Sequence, residues 1–371
     1  MPDIDGFETT QLADKTNPRQ RDGERAMTRP SLCAWLAPAA AVLLLAAPVR
    51  AADPAMVDAA RKEGTVVWYS GMIVNQVVRP IADGFEKKYP GIKVQASRLS
   101  SSDAALKIIN EARAGRPQAD IFDGSALVHR LQAANTVEDY TSPSAASFPP
   151  TSRDAHGAWT AFNTYILTAA ANTELVPEKD APRSLADLLD PKWAGKIAWT
   201  NDPTSAGPPG FIGAVLSAMG EPAGMDYLRE LAQQRVVNVP ASQRVVLDQV
   251  ISGQYSIALM TFNNHSVISA AEGAPVRWLP LSPAVELPNP GGLVKNAPHP
   301  NAGKLLLDYI LSAEGQAVFR TATYMPANPA VPPNDPTLLP SGGTFTSVVI
   351  SPAETAAKLD QWTKIYNDLF K

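Results

Sequence analysis

The feature that most constrains the fold is a regular alternation of apolar runs and amphipathic segments between residues 65 and 134. The apolar runs are typical of buried parallel strands, and each is followed by a segment with helical spacing. Pro90 and Gly91 end the first of these helices. The predicted strands and helices alternate in the order 65–70, 75–89, 92–97, 103–114, 120–123 and 125–134. This order predicts a parallel sheet with right-handed crossovers.

The carboxyl ends of these strands are the expected place for a ligand, because parallel α/β sheets bind ligands there. The segments that follow the three strands are 70–71, 100–103 and 123–125. Ser70, Gly71 and Ser125 are therefore candidate ligand contacts. The alternative for the two serines is ordinary turn chemistry at a strand end.

A second α/β unit begins at 196–199 and continues through a buried strand at 256–260. Helices are predicted near 210–219, 222–234 and 242–252. The predicted mature chain, 52–371, is too long for one core and suits two lobes. Two crossings between the lobes, near 159–170 and 275–285, predict a hinged pair with a cleft between them.

The predicted boundaries follow from these crossings. Lobe 1 comprises 53–160 together with 280–325, and lobe 2 comprises 161–279. The segment 326–371 is expected to pack on both lobes. Its helix begins with a capping-box pattern, in which Ser351 precedes Pro352 and Glu354.

The amino terminus carries an export signal. An apolar run at 35–47 lies between Arg29 and Arg50 and is too short to span a bilayer. We therefore predict a signal peptide at 27–52, preceded by a non-native or mis-called extension at 1–26, and a periplasmic location. The alternative for the apolar run is a short buried helix. Cys33, the single cysteine, lies before most of the apolar run, so neither a lipid anchor nor a disulfide is expected.

Charge and motifs exclude several classes of protein. The 32 basic and 36 acidic residues form no basic stripe, so no nucleic-acid partner is expected. No nucleophile elbow, phosphate-binding loop or zinc-protease motif is present, so we do not predict an enzyme. A periplasmic hydrolase using Ser205 or Ser125 with His265 is a remote alternative. The four histidines lack metal-ligand spacing and are expected in surface or loop positions.

Five segments, in the same order along the chain, resemble the type II periplasmic solute-binding proteins of ABC importers. The most recognisable are FEKKYPGIKV at 85–94 and LLDPKWAGKI at 188–197. The others lie at 67–71, 119–122 and 313–316. The similarity is strongest to the ferric-iron, thiamine, phosphonate and sugar-phosphate receptors. It implies an α/β fold of two lobes, each with a mixed, mostly parallel sheet flanked by helices, joined by two hinge strands. It also implies a monomer that delivers a small-molecule ligand to an inner-membrane permease and its ATPase.

The sequence departs from this family at the metal site. Ferric-iron receptors place two adjacent tyrosines after the strand matched here by 256–260, where this chain has Asn263 and Asn264. Carboxamides are much poorer ligands than phenolates for a hard cation. We therefore predict no metal and no cofactor. Ferric iron remains the alternative ligand.

The segment 202–207 resembles a turn that opens a helix in the family's second lobe. Free backbone N–H groups at a helix start favour an anion. Pro208 and Pro209 remove two of these donors, so a later helix start is expected. The predicted ligand contacts on this side of the cleft are neutral or small residues: Asn201, Thr204, Ser205, Ala206, Asn263 and Asn264. The alternative for the turn is an ordinary N-cap.

Four further residues have two interpretations each. Asp123 either caps the helix predicted at 125 or meets a ligand ammonium, and the cap is preferred. Arg98 is expected to be a surface charge, with a ligand anion as the alternative. Trp68 and Trp199 are expected in the core rather than in the cleft.

Overall fold

The computed structural model describes residues 52–125 and 127–371. The predicted extension at 1–26 and nearly all of the predicted signal peptide at 27–52 lie outside the described residues. The described residues belong to one compact unit, Arg50–Lys371. Within them, no helix combines the length and the apolar character needed to cross a membrane.

The strands of the described chain are short except for two. Their bounds are β1 Thr65–Ser70, β2 Lys93–Arg98, β3 Ile121–Asp123, β4 Val137–Glu138, β5 Thr160–Asn172, β6 Ile197–Thr200, β7 Val237–Val239, β8 Ile257–Phe262, β9 Val276–Leu279, β10 Ala284–Val294, β11 Met325–Pro326 and β12 Ser347–Val349.

The helices fill the connections between the strands. Their bounds are α1 Pro54–Glu63, α2 Arg79–Lys88, α3 Ser101–Arg113, α4 Val128–Ala133, α5 Pro208–Met219, α6 Glu221–Gln233, α7 Gln243–Ile251, α8 Asn263–Ala271, α9 Pro300–Leu311, α10 Ala313–Thr321 and α11 Pro352–Phe370. A single π-helical turn, Val74–Val78, precedes α2.

The strands form a mixed sheet in the order β2-β1-β3-β10-β5-β8-β6-β7. β1 is parallel to β2 and β3, and β6 is parallel to β7 and β8. The two long strands β5 and β10 are antiparallel to each other and join these parallel halves. β10 pairs with β3 on one side, whereas β5 pairs with β8 on the other. This arrangement confirms the predicted α/β class with two halves linked by two shared strands.

The second crossing lies later than predicted. We expected it near 275–285, but β9 pairs only with the far end of β5, and β10 makes the crossing. Pro288 and Pro290 concealed this strand, since proline cannot donate to a sheet ladder. The pairing with β5 accommodates them through a register shift between Asn289 and Pro290.

The predicted core positions are buried in the structure. Trp68 and Trp199 are both fully buried. On α11, Trp362 and Tyr366 are buried against the core, as the helical spacing predicts. The Ser351 hydroxyl accepts a hydrogen bond of 3.1 Å from the backbone N–H of Glu354, so the predicted cap forms.

Candidate functional site

A cavity of about 680 Å³ lies where the carboxyl ends of the parallel strands from both halves of the sheet meet. Arg98 ends β2, Gly71 follows β1, and Gly124 follows β3. From the other half, Asn201 follows β6 and Pro240 follows β7. The cavity thus occupies the position where parallel α/β sheets bind ligands.

Five of the nine predicted contact residues line this cavity. They come from three loops at strand ends: Gly71, Ser125, Asn201, Thr204 and Ala206. The segment 100–102, which also follows a predicted strand, lines it as well. The rule that ligands bind at strand ends therefore selected loops that line the cavity.

The other four predicted contacts do not line the cavity and lie buried behind its wall. Ser70 ends β1, and its hydroxyl accepts a hydrogen bond of 3.1 Å from the Met72 N–H, which is local turn chemistry. Asn263 is fully buried and donates to the Leu338 carbonyl at 2.8 Å. Ser205 and Asn264 are also fully buried. The predicted strand 256–260 corresponds to β8, which continues to Phe262. The two asparagines therefore lie at the start of α8 and not in a loop after the strand.

Two arginines from distant parts of the sequence line the cavity. Arg98 is exposed, as a surface charge is expected to be, and its place at the end of β2 also puts it in the lining of the cavity. Among the residues that the structure describes, no carboxylate lies within ion-pair distance of it. Arg244, which the sequence did not single out, stands in the first turn of α7. Its guanidinium pairs with Asp248 at 2.7 Å and donates to the Ser269 hydroxyl at 2.9 Å, which fixes its orientation.

The starts of α3 and α7 also face the cavity. Ser101 and Ser102 open α3, and Gln243 opens α7 without a side-chain cap. The first N–H groups of a helix lack partners within it and carry partial positive charge. The uncapped start of α7 therefore adds to the positive potential of the two arginines, whereas Asp103 in the first turn of α3 and the Ser100 cap offset that of α3.

Helix α5, predicted to hold the anion, is less suited to it. It begins at Pro208, not later as expected, because proline is well tolerated in a first helical turn. Pro208 and Pro209 carry no N–H, and the next donor, Gly210 N–H, bonds to the Gly207 carbonyl at 3.0 Å. Helix-start donors are thus supplied by α3 and α7.

The floor of the cavity contains four rings, from Tyr165, Phe262, His265 and Tyr324. The ring centroids of Tyr165 and Phe262 are 4.6 Å apart, and those of Phe262 and His265 are 4.9 Å apart. Burial, with the charges of Arg244 and Arg98, lowers the pKa of His265 to about 3. His265 was expected at the surface, yet it is buried and neutral at physiological pH.

Burial also raises the pKa of the Tyr165 and Tyr324 phenols well above their usual value. Both rings are neutral phenols, and the Tyr324 hydroxyl lies 3.5 Å from Nε2 of His265. The floor therefore offers neutral hydrogen-bonding groups beneath two cationic walls.

A buried carboxylate, Asp123, stands behind this floor. It accepts hydrogen bonds from Trp68 Nε1 at 2.8 Å, from Gly71 N–H at 3.3 Å and from Asn289 Nδ2 at 3.4 Å. Complete burial raises its pKa to about 6 despite these donors. The preferred prediction of a helix cap is wrong, because α4 begins at Val128 and has no side-chain cap.

The cavity lining also carries one acidic side chain among the described residues, Asp202. Its carboxylate accepts a hydrogen bond of 3.3 Å from the Thr204 hydroxyl. Burial raises its pKa above the usual value, although Thr204 and the charge of Arg130 act in the other direction.

Neither metal nor nucleophile chemistry is evident in the described residues. They contain no group of three or more histidine, cysteine, aspartate or glutamate side chains that could hold a metal ion. Within the same residues, the single hydrogen-bond contact of the His265 ring is to Tyr324, not to a serine. The Ser–His arrangement of the hydrolase alternative is therefore not assembled.

A two-part α/β fold with a polar cavity between its halves defines the class of two-lobed solute-binding proteins. Residues 116–348 match the family model described as "Bacterial extracellular solute-binding protein", and the chain belongs to this family. The membership confirms the predicted class, the periplasmic binding proteins of ABC importers, whose members bind small ligands and work with a permease.

Relatives differ in the ligands their names give. The chain is 23% identical to the Fe(3+)-binding periplasmic protein of Serratia marcescens, covering 71% of this chain and 78% of the relative. It is 27% identical to the putative 2-aminoethylphosphonate-binding periplasmic protein of Salmonella typhimurium, covering 59% and 65%. Among solved structures, the periplasmic binding protein AfuA from Actinobacillus pleuropneumoniae, with fructose-6-phosphate bound, superposes with a TM-score of 0.69 at 22% identity, covering 83% of this chain and 98% of that one. The fold is thus shared across several ligand chemistries.

Proposed function

We propose that this protein captures a small organic anion in the cleft between its lobes and delivers it to an inner-membrane ABC permease and ATPase. The anion is a phosphonate, a phosphate ester or a carboxylate. The observation that carries the proposal is the convergence of Arg98 and Arg244 on one cavity, from opposite halves of the sheet. An anion held by both would bridge the lobes.

The remaining donors support an anion of this size. Residues at the starts of α3 and α7 line the cavity, α7 has no side-chain cap, and the lining carries several hydroxyls. A cavity of about 680 Å³ falls within the range of small-molecule sites. We propose that the five predicted wall residues contact the ligand: Gly71, Ser125, Asn201, Thr204 and Ala206.

Closure of the lobes completes this proposal. We take lobe 1 as 53–160 with 280–325 and lobe 2 as 161–279, and β5 and β10 as the hinge. A ligand that touches both walls favours the closed form by its differential affinity. The protein would act as a periplasmic monomer with no catalytic step.

Ferric iron is the second candidate. Tyr165, Tyr324 and His265 lie together on the floor, and phenolates are strong ligands for this cation. Relatives with ferric-iron names also favour it. Against it, both phenols are held neutral and two arginines face the same space, so a trivalent cation would meet repulsion.

Native mass spectrometry of the protein purified from its host periplasm separates the two candidates. An organic mass that leaves on mild denaturation is expected. Bound iron, with a visible charge-transfer band, would contradict the anion and support the second candidate.

Loss of either arginine should weaken anion binding about 10- to 100-fold, as expected for a charge-assisted hydrogen bond. Arg98→Gln and Arg244→Gln, measured by calorimetry on stripped and refolded protein, test this. Arg229→Gln is the matched control, because Arg229 is an exposed ion-paired arginine on α6. Unchanged affinity in both cleft variants would refute the proposed anion site.

A further inference from the structure

Among the described residues that line the cavity, Asp202 is the only acidic one. An anion receptor gains nothing from a carboxylate in its wall unless that carboxylate has a task of its own. Like charges in a shared cavity reduce anion affinity and select against the wrong ligand.

The Asp202 side chain is held in place by its own loop. The Asp202 N–H donates to the Thr200 hydroxyl at 3.1 Å, and its carbonyl accepts from the Thr204 N–H at 2.9 Å. A Cβ at position 207 would collide with the Asp202 carbonyl oxygen, so Gly207 permits this tight turn. The carboxylate therefore has a defined position on the wall before any ligand arrives.

This carboxylate lacks a cationic partner within the described residues. Its side-chain donor is the Thr204 hydroxyl at 3.3 Å, and no lysine, arginine or histidine nitrogen of the described chain lies within 4.0 Å. Burial raises the pKa of Asp202 by more than the positive charge of Arg130 lowers it. Partly burying a carboxylate without a cation is costly, and a bound cation would remove that cost.

The charged side chains of the cavity lining come from three different parts of the chain. Besides the larger effect of burial, the positive charges of Arg98 and Arg244 both act to lower the pKa of His265 and of Tyr324. The charges of Arg130 and Asp103 act on the pKa of Asp202 in opposite directions. The cavity lining thus carries two cationic side chains, at the end of β2 and on α7, and one anionic side chain in the loop after β6.

We propose that Asp202 binds a protonated amine of the solute, so that the solute is a zwitterion with its anionic group between Arg98 and Arg244. Asp202 is then the residue that determines specificity for amino-bearing anions over plain ones. This inference rests on the proposed anion function and narrows its substrate class.

The test compares matched probes that differ in one group. 2-Aminoethylphosphonate and propylphosphonate form one pair, and phosphoethanolamine and propyl phosphate form the other. Affinities are measured by calorimetry for the wild type, Asp202→Asn and the control Asp226→Asn, an exposed aspartate on α6. The side-chain amide oxygen of Asp202→Asn can still accept the hydrogen bond from the Thr204 hydroxyl. A melting curve verifies that each variant is folded.

The wild type and Asp226→Asn should bind the amino probe at least about tenfold more tightly than its partner in one pair or both. Asp202→Asn should abolish this preference while retaining the plain anion. Equal affinity for both members of each pair in the wild type, or a preference that survives Asp202→Asn, overturns the inference. The proposed anion function has its own test: it is overturned if neither Arg98→Gln nor Arg244→Gln changes the affinity for any of the four probes.

Discussion

The protonation of Asp123 and His265 depends more on burial than on the residues next to them in the sequence. Asp123 follows a strand and resembles a helix cap, yet it lies fully buried beneath the cavity floor with three donors around it. His265 is likewise buried and neutral rather than exposed. Neither burial could be predicted from sequence, because both depend on β10 and the segment around Tyr324 covering these side chains.

The raised pKa of Asp123 makes the free energy of unfolding depend on pH. The carboxyl has a pKa of about 6 in the folded state and 3.8 as its ordinary value, so the folded state holds the proton more tightly. The contribution of the protonated Asp123 carboxyl to the free energy of unfolding is fully present below pH 3.8. It is lost as the pH rises to 6, and the total loss is about 3 kcal/mol.

Chemical denaturation between about pH 3.5 and pH 7.5, a range set about these two values, measures this dependence. The wild-type stability minus that of Asp123→Asn should fall across the window. Gln361→Ala, which changes an exposed side chain without a titratable group, should give a flat difference. A flat difference for Asp123→Asn as well would show that its carboxyl does not retain the proton.

At the scale of elements, α11 is the case in which sequence and structure agree best. Its cap, its proline and its apolar face are all local signals, and all are confirmed. The face packs on α5, where the Trp362 ring lies so close to Gly213 that an added Cβ would be 2.6 Å from it. A helix whose start and buried face are both local features can be predicted from sequence. The helix near 210–219 was also predicted, but its packing against α11 could not be, because the two helices are far apart in the sequence.

Trp362→Ala should destabilise the protein by about 3–5 kcal/mol, the usual cost of removing a buried tryptophan. The side chain is only 2% exposed, and little else can fill its place against Gly213. Gln361→Ala, on the exposed side of the same helix, should change stability by less than about 0.5 kcal/mol. Equal effects of the two substitutions in thermal or urea unfolding would contradict this packing.

At the scale of the whole molecule, β5 and β10 are the elements that join the two parallel halves. β5 was recognised as a long apolar run, and β10 was placed too early because two prolines interrupt its pattern. Since the cavity lies across these strands, rotation about them would bring Arg98 and Arg244 together.

Ligand should therefore shorten the distance between the two lobes. Leu106 on α3 and Val245 on α7 are exposed and lie on helices that begin at the cavity. Spin labels on Leu106→Cys and Val245→Cys, in a Cys33→Ser background, should move closer when the co-purified solute is added back. A pair on Leu106→Cys and Gln132→Cys, both within predicted lobe 1, should keep its distance. A constant distance in the first pair would exclude hinge closure.

Local patterns in the sequence were enough to predict the α/β alternation, the existence of two halves and the loops that line the cavity. These follow from local periodicity and from a general rule about where parallel sheets bind ligands. Five of the nine predicted contacts line the cavity for that reason. Asn263 and Asn264 do not, because β8 runs two residues further than predicted and places them at the start of α8. Ser70 and Ser205 are buried although their loops reach the cavity, and no local pattern gives the direction of a single side chain.

The charge of the cavity, in contrast, depends on how distant parts of the chain come together in the folded protein. Arg98 and Arg244 lie on different halves of the sheet, and no local pattern links them to each other or to Asp202. Their convergence depends on the order of strands in the sheet and on the crossings of β5 and β10. Long-range strand order has no signature in local hydrophobic spacing, so the electrostatics of the cleft could be determined only once the chain was folded.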